Sequence, residues 1–398
     1  MAYQYQQRNF RSSRGGHFSQ SRRPNRSAQR GQTIHHSRFI NKGVETLAED
    51  VFVPKHAFAD FAVDERIKGN IARKGYVTPT PIQDQAIPYI LQGRDIVGIA
   101  NTGTGKTGAF LIPLLDKVVK QREERILIMV PTRELAVQIE EEYRGFSAGS
   151  GFMSVCAVGG ANISAQIRGL RANPHFVIGT PGRLKDLMER RALDLSRFRT
   201  VVLDEADRML DMGFIADMRF ILSQMPTPRH TLFFSATLSS EIEKLIGDFL
   251  TNEVRVSVKT RDTSQDVDQD IVRVAPGADK MEHLRDLLIQ PDFRKVLIFG
   301  RTKHGVERLS RNLQELGFKA ESIHGNKSHS QRQRALQAFK EERIGILVAT
   351  DVAARGLDIP KVSHVINYDQ PNTYDDYVHR IGRTGRAGER GKALTFVN

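Results

Sequence analysis

The feature that most constrains the fold is a repeated alternation of short apolar runs with amphipathic stretches. In the first half of the chain, residues 109–120 and 133–143 place apolar side chains at helical spacing. The apolar runs between such stretches are residues 96–100, 126–130, 176–178, 201–203 and 231–234. Strands that alternate with helices require crossover connections, so the pattern predicts a parallel sheet. Ligands of such a sheet bind at the carboxyl ends of its strands.

A second alternating series follows a polar stretch, RDTSQDVDQD, which we interpret as part of a linker at residues 259–270. Its apolar runs are residues 296–299, 320–323, 344–348, 365–368 and 393–397. The chain therefore divides into an arm at 1–50, a short region at 56–84, a first lobe at 85–258 and a second lobe at 271–398. The sequence stops inside its last predicted strand, so we expect the second lobe to be truncated; an edge that is covered in another way is the alternative.

The charge is concentrated at the N-terminus. Residues 1–44 carry nine Lys or Arg and no Asp or Glu, and the remaining 50 basic and 46 acidic residues nearly cancel. We expect residues 1–50 to be a disordered basic arm that contacts an anionic polymer. A solvated arm without a partner is the alternative.

Composition excludes several classes of protein. No run approaches the roughly 18 apolar residues of a membrane helix, so we expect no membrane contact. The first ten residues, MAYQYQQRNF, lack the apolar core of a secretory signal. The single cysteine, Cys156, can form neither an internal disulfide nor a cysteine-rich zinc site, which favours a reducing, cytoplasmic location.

Residues 95–107, DIVGIANTGTGKT, join a predicted strand to a predicted helix through a glycine-containing turn. This is the context of a phosphate-binding loop, although Ala100 stands where the usual pattern has Gly. Backbone N–H groups can wrap the phosphates, while Lys106 reaches the β- and γ-phosphates and Thr107 holds Mg²⁺. The remaining loop residues expected to bind nucleotide are Thr102, Gly103, Thr104 and Gly105. A glycine-rich turn with a chance GKT is the alternative.

Three acids, Asp204, Glu205 and Asp207, follow the predicted strand at 201–203. Buried carboxylates need a cation or donors nearby. Asp204 can hold the Mg²⁺ of a bound nucleotide, and Glu205 can orient or deprotonate an attacking water. A solvated helix start, which acids also favour, is the competing interpretation.

The second lobe has no GKT but contains HRIGRTGRAG at 379–388. Its arginines, Arg380, Arg383 and Arg386, recur every three residues, although the glycines make a regular helix doubtful. A phosphate-binding lobe together with an arginine-rich lobe suggests one ATP sandwiched between them. A surface salt-bridge or RNA-binding helix is the alternative.

These stretches together resemble the DEAD-box ATP-dependent RNA helicases. The resemblance runs from about Phe58 to Gly388 and includes nine motifs in the order of the family. They are Phe58 with Gly75-Tyr76 and TPTPIQ ending at Gln83, ANTGTGKT, PTREL at 131–135, Gly159-Gly160, TPGR at 180–183, DEAD at 204–207, SAT at 235–237, ATDVAARGLDIP at 349–360 and HRIGRTGR at 379–386.

The resemblance implies an α/β fold with two tandem RecA-like lobes that close around ATP and single-stranded RNA. Gln83 would read the adenine edge, Phe58 would pack near the base, and Asp358 would contact the ribose. Arg383 and Arg386 would be the arginine fingers that stabilise charge on the transferred phosphoryl group. The residues expected to couple hydrolysis to closure are Asp207, Ser235, Thr237 and His379.

RNA contacts are likewise implied by the resemblance, mostly to phosphate and sugar. They would involve Pro131, Thr132, Arg133, Gly160, Thr180, Gly182 and Arg183 in the first lobe, and Arg301, Thr302, Gln331, Arg334 and Thr350 in the second. For Arg301 and Arg334, a solvated helix face is the alternative.

We therefore expect a monomeric RNA helicase that uses ATP and Mg²⁺ and opens short RNA duplexes or remodels RNA–protein complexes, with ribosomal or RNA-decay complexes as partners. An ATP-gated RNA clamp would use the same residues. A DNA-directed motor is disfavoured by the DEAD and Gln83 motifs.

Overall fold

The computed structural model describes residues 34–41, 52–101, 103–258, 267–354, 359, 361–385 and 391–397. Its strands form two parallel sheets of seven and six strands. The first sheet has the order β3-β4-β2-β5-β6-β1-β7. Its strands are β1 (Ile96–Ile99), β2 (Ile126–Met129), β3 (Ser154–Ala157), β4 (Phe176–Gly179), β5 (Thr200–Leu203), β6 (His230–Ser235) and β7 (Val254–Ser257).

The second sheet has the order β10-β11-β9-β12-β13-β8. Its strands are β8 (Val267–Arg273), β9 (Val296–Phe299), β10 (Ala320–Ile323), β11 (Ile346–Ala349), β12 (His364–Asn367) and β13 (Gly391–Val397). Each sheet with its helices forms one lobe, called lobe one and lobe two below. The predicted α/β fold with two tandem RecA-like lobes is confirmed.

Helices connect the strands and cover the sheets. In lobe one they are α1 (Glu65–Arg73), α2 (Pro81–Leu91), α3 (Lys106–Lys120), α4 (Arg133–Phe146), α5 (Ile163–Arg171), α6 (Pro181–Glu189), α7 (Ala206–Asp211), α8 (Ile215–Ser223) and α9 (Ser240–Phe249). In lobe two they are α10 (Lys280–Leu288), α11 (Lys303–Glu315), α12 (His329–Lys340), α13 (Asp351–Ala354) and α14 (Tyr374–Ile381). Single 3₁₀ turns occupy His36–Phe39 and Phe58–Asp60. No described helix is both long and apolar enough to cross a membrane.

The central strands are buried on both faces, which explains why their sequences are continuously apolar rather than alternating. In β2 and β9 every residue is buried. Helices supply the covering layers with apolar side chains on both sides of each sheet. This packing holds the carboxyl ends of the central strands, and the loops that follow them, in fixed positions.

One predicted boundary is wrong, and another falls inside a helix. The linker expected at 259–270 ends earlier, because residues 267–270 already belong to β8 and pair with β13. The buried face of β8 contains the polar Gln269 as well as Val267. The strand therefore does not show the alternation of apolar and polar residues that would identify it in the sequence. The boundary placed between residues 84 and 85 falls inside α2, which packs on α3 and on the sheet of lobe one.

Part of the arm expected to be disordered is ordered. Residues 34–41 lie on lobe two, where Phe39 is fully buried and Asn41 pairs with Gln269 of β8. The apolar contacts of Phe39 and Ile34 explain this order. Residues 1–33 and 42–50 of the arm lie outside the described residues, as do residues 259–266 of the predicted linker.

Candidate nucleotide and nucleic-acid site

The topology of lobe one brings three predicted motifs to one edge. In the sheet, β6 lies between β1 and β5, so its carboxyl end separates the loop after β1 from the acids after β5. A cavity of about 300 Å³ is lined by Gly105, Lys106, Thr107, Asp204 and Glu205, among others. A volume of this order is typical of small-ligand sites. The structure therefore brings the glycine-rich loop and the acids into one pocket.

The loop after β1 has the backbone that phosphate binding requires. Gly103 and Gly105 have φ of 86° and 91°, in the left-handed region that favours glycine. Gly105 is the N-cap of α3, so the N-terminus of this helix faces the pocket. Lys106 is buried, and its Nζ donates to the Ala100 carbonyl at 3.0 Å. Thr102 lies outside the described residues.

The acids after β5 are buried next to positive charges. Lys106 Nζ lies 4.0 Å from Asp204 Oδ1. Glu205 has φ of 54°, an uncommon backbone for a non-glycine residue, and caps α7. Its Oε2 is 2.6 Å from Arg208 Nη1, and both side chains are buried. This ion pair fixes the direction in which the Glu205 carboxylate points.

The pKa values of Asp204 and Glu205 are shifted in opposite directions. Burial raises the pKa of Asp204, and the charge of Lys106 offsets this only in part. Burial alone would also raise the pKa of Glu205. The charges of Arg208, Lys106 and Arg383 outweigh burial there, so the pKa of Glu205 is lowered. Glu205 is thus kept as a carboxylate, and Arg383 of lobe two lies close enough to contribute.

The residues available for a metal ion match Mg²⁺ in chemistry. A threonine hydroxyl and a carboxylate are hard oxygen donors, the type that Mg²⁺ prefers, and both Thr107 and Asp204 line the cavity. The burial that raises the pKa of Asp204 is the condition that a bound cation relieves. The donor set therefore fits the predicted ion.

Asp207 connects the acids to the SAT stretch at the end of β6. Its Oδ2 accepts from the backbone N–H groups of Ala236 and Thr237 at 3.1 and 3.2 Å, and lies 3.3 Å from Thr237 Oγ1. Ser235 Oγ donates to the Thr237 carbonyl at 2.8 Å. The acids and the SAT stretch are therefore joined by direct contacts.

Gln83 is fully buried beside the glycine-rich loop. Its Oε1 accepts from Thr80 N, and its Nε2 donates to the Gly105 carbonyl, both at 3.0 Å. Each amide atom retains one further hydrogen-bonding position, so adenine reading remains a prediction. Phe58 is buried in an edge-on contact with Tyr76, with ring centroids 6.0 Å apart, and Tyr76 lines the cavity.

In lobe two the arginines have different partners. Arg380 forms a two-pronged contact with Asp351, at 2.5 and 2.8 Å, and donates to Asn367 and the Asp369 carbonyl. It is thus a structural residue of lobe two. Helix α14 ends at Ile381, as the glycines suggested, and Arg383 follows it in a turn. His379 and Arg383 line a small cavity in lobe two together with Arg380 and Asp351. Arg386 and Asp358 lie outside the described residues.

The predicted RNA contacts are gathered at the N-termini of helices. Thr132 and Thr180 are the N-caps of α4 and α6, which follow the adjacent strands β2 and β4. In lobe two, Thr302 is the N-cap of α11, and Thr350 directly precedes α13. These helices follow the adjacent strands β9 and β11. Helix N-termini carry backbone N–H groups that can hold phosphates, so this arrangement is compatible with the predicted RNA contacts.

The remaining predicted RNA residues differ in accessibility. Gly160 and Gly182 are exposed, and Arg133 packs so closely on Gly160 that a side chain there would clash with it. Arg183 donates to Gln166 Oε1 at 3.0 Å. Arg301, Gln331 and Arg334 are exposed to solvent, whereas Pro131 is buried.

Sequence reasoning missed a contact between the lobes. Arg332 Nη2 of α12 lies 2.7 Å from Glu134 Oε1 of α4, with side-chain exposures of 10% and 2%. His329, at the start of α12, lies near Glu134; burial lowers the pKa of its ring, and the charge of Glu134 only partly offsets this. Lys340, at the other end of α12, lines the nucleotide cavity. Arg332 could have been found, because it shares a helix face with the apolar residues three, four and seven positions later.

Family models match both lobes. The DEAD/DEAH box helicase model matches residues 80–245, and the helicase conserved C-terminal domain matches residues 279–388. A DEAD box protein from the hyperthermophile Methanococcus jannaschii is 38% identical, with 87% of this chain and 94% of that chain covered and a TM-score of 0.51.

Structures with bound ligands are also similar. S. cerevisiae Dbp5 bound to RNA and ADP BeF3 is 29% identical, with 86% of this chain and 89% of that chain covered and a TM-score of 0.77. Mss116p bound to ssRNA and AMP-PNP is 30% identical, with 85% of this chain and 73% of that chain covered and a TM-score of 0.76.

The fold and the site therefore define a two-lobed nucleotide-dependent helicase. The chain belongs to the DEAD-box family of superfamily 2 helicases. It is an ATP-dependent RNA helicase.

Proposed function

We propose that this chain couples RNA-stimulated ATP hydrolysis to local opening of RNA duplexes, through closure of its two lobes. The observation that carries the proposal is the meeting of both lobes at one site. Arg383 of lobe two lowers the pKa of the lobe-one residue Glu205, and Arg332 contacts Glu134. A hydrolytic site assembled from two lobes can be switched by whatever brings the lobes together.

On the nucleotide side, the backbone N–H groups of the loop at 103–105 and Lys106 would hold the phosphates. Glu205, kept as a carboxylate and aimed by Arg208, would orient the attacking water. Arg383 would stabilise the negative charge that develops on the transferred phosphoryl group. Mg²⁺, held by Thr107 and Asp204, would supply charge neutralisation between the phosphates.

On the RNA side, the helix N-termini described above would hold the sugar–phosphate backbone of a single strand. This proposal is supported by the relatives Dbp5 and Mss116p, solved with RNA or ssRNA, which overlay with TM-scores of 0.77 and 0.76. Backbone contacts carry little sequence information, so many RNAs would be accepted. The basic residues of 1–33 would add affinity that weakens with salt.

Asp207 would link the two activities. Asp207 holds the SAT stretch through three short contacts. If RNA-driven closure shifts the SAT stretch, the acids after β5 would therefore shift with it. Hydrolysis would then remove the γ-phosphate that bridges the lobes, allowing them to separate and release the RNA. Chemistry at the nucleotide thereby resets the RNA site.

The test is ATP hydrolysis by the purified chain alone, with single-stranded RNA, and with DNA of the same sequence. We expect strong stimulation by RNA and little by DNA. Glu205→Gln should bind ATP and RNA yet hydrolyse ATP at least about a hundredfold more slowly, because the water loses its orienting carboxylate. Glu140→Gln is the matched control, because Glu140 also lies on α4 but pairs with the exposed Arg144 and does not line the nucleotide cavity. Normal turnover by Glu205→Gln would contradict the assigned role, and tight RNA binding without turnover in the wild type would indicate an RNA clamp.

A further inference from the structure

Residues 34–41, called the docking segment below, belong in sequence to the N-terminal arm but lie on lobe two. The next described residues, from Phe52 onward, lead into lobe one. Asn41 N donates to the Gln269 carbonyl at 3.1 Å, and Gln269 N donates to the Asn41 carbonyl at 2.8 Å. This antiparallel bridge pairs the open edge of β8, an edge that proteins otherwise need to protect. The segment is therefore fixed by backbone as well as side-chain contacts.

The side chains of the docking segment pack on α14. Phe39 is fully buried, with its ring centroid 4.8 Å from that of Tyr377. The Arg38 guanidinium lies over the Tyr374 ring, 3.8 Å from its centroid. Tyr377, itself fully buried, donates its hydroxyl to Gln269 Oε1 at 2.9 Å. One face of α14 thus rests on the docking segment and on β8.

Another part of the same helix and the turn after it carry His379 and Arg383, which are predicted to serve the nucleotide site, together with the structural residue Arg380. His379, Arg380 and Arg383 line one small cavity. Arg380 bridges to Asp351. Arg383 lies two residues after the end of the helix, and its charge helps to lower the pKa of Glu205. Since α14 spans only eight residues, a shift of one face moves the other by a similar amount. Small displacements of catalytic groups can cost up to about a hundredfold in rate.

We propose that the docking segment positions α14 and thereby aims Arg383 at the nucleotide site. This inference rests on the proposed ATPase function and names a positioning residue for it, Phe39, which touches neither nucleotide nor RNA. Phe39 fills the space beside Tyr377 and Ile381. Without it, α14 loses packing on one side, and Arg383 spends less time in the orientation needed for hydrolysis.

The experiment compares Phe39→Asp with Ile40→Asp in the full-length chain. Phe39 is fully buried, and a carboxylate there must leave its pocket, whereas Ile40 is 44% exposed and tolerates the charge. Release of the segment is followed by hydrogen exchange at residues 34–41. ATP turnover is measured at saturating RNA, together with the KM for ATP.

We expect Phe39→Asp to lower kcat about tenfold and to leave the KM for ATP within about twofold, because the phosphate-binding loop is untouched. Ile40→Asp should match the wild type, and Phe39→Leu, which keeps an apolar side chain, should restore most of the rate. A role in stability alone would lower the unfolding temperature without changing kcat well below that temperature.

Three results would overturn the inference. The first is an unchanged kcat although the segment is released. The second is an equal loss of kcat for Phe39→Asp and Ile40→Asp. The third is an effect confined to the KM for ATP. If Phe39→Asp prevents folding, the graded series Phe39→Leu and Phe39→Ala decides instead, and a kcat that does not follow segment release contradicts the idea. Absence of RNA stimulation in the wild type would refute the proposed function itself, so the two failures are distinguishable.

Discussion

The ion pair between Arg332 and Glu134 gives a quantitative test of lobe closure. The charges are 2.7 Å apart and almost fully buried, so at an effective dielectric of about 20 their attraction is about 6 kcal/mol. Burial opposes this attraction, and it lowers the pKa of Arg332. Removing one partner of a buried pair costs about 3–5 kcal/mol, because the other charge is left uncompensated.

The change is Glu134→Gln. Because the pair joins two lobes, its loss penalises only the closed arrangement, in which Arg332 is buried. A penalty of about 3 kcal/mol is a factor of more than a hundred, so kcat/KM for RNA in the ATPase assay should fall about a hundredfold. ATP binding without RNA should be unchanged.

The control and the double variant sharpen this test. Glu140→Gln alters the same helix but an ion pair inside lobe one, so it should have little effect. Adding Arg332→Met to Glu134→Gln removes the stranded charge, and the double variant should be no worse than the single one. An unchanged kcat/KM for Glu134→Gln, or additive losses in the double variant, would refute the reasoning.

Three further predictions concern other parts of the chain. Lys106→Ala should weaken ATP affinity at least about tenfold in a fluorescent-nucleotide titration, since it removes a charge-assisted contact to the phosphates, and equal affinity would contradict its role. Gln83→Ala should reduce the preference for ATP over GTP, and equal use of both by the wild type would argue against adenine reading. His364 stacks on Phe293 with centroids 3.8 Å apart, and burial lowers its pKa to about 4. Its folded pKa lies below the usual value of about 6.5, so the stability from a neutral ring is complete well above pH 6.5 and is lost as the pH falls toward 4, by about 2.5 kcal/mol at pH 4.5. Thermal unfolding of His364→Phe should lack this pH dependence, and an unaltered dependence would exclude His364 as its source.

The sequence predicted the central strands and missed three edge strands. β2, β5 and β9 are buried on both faces, so their continuous apolar runs stand out. β3, β7 and β8 lie at sheet edges and are partly exposed, so polar residues interrupt them. The linker boundary was wrong for this reason, since β8 begins inside a polar stretch.

The centre of the nucleotide pocket was predictable because its two clusters, residues 103–107 and 204–205, each lie just after a strand that the pattern identifies. Contacts between segments that are distant in the sequence were not predictable in this way. Arg334 on α12 was predicted as an RNA contact and Arg332 was not identified, although the buried face of α12 contains Arg332, Ala335 and Leu336 at helical spacing. The docking of residues 34–41 depends on a pocket formed by β8 and α14, and no local pattern in the arm encodes that pocket.

The measurement that tests the central claim most directly is the distance between the lobes. Fluorophores on cysteines introduced at Val77 of lobe one and Ile289 of lobe two, both well exposed, would report it by energy transfer. Burial raises the pKa of the natural Cys156 to about 12, so this thiol should stay unlabelled at neutral pH. The account predicts one closed distance only when RNA and a non-hydrolysable ATP analogue are both present. The same distance with and without these ligands would contradict it.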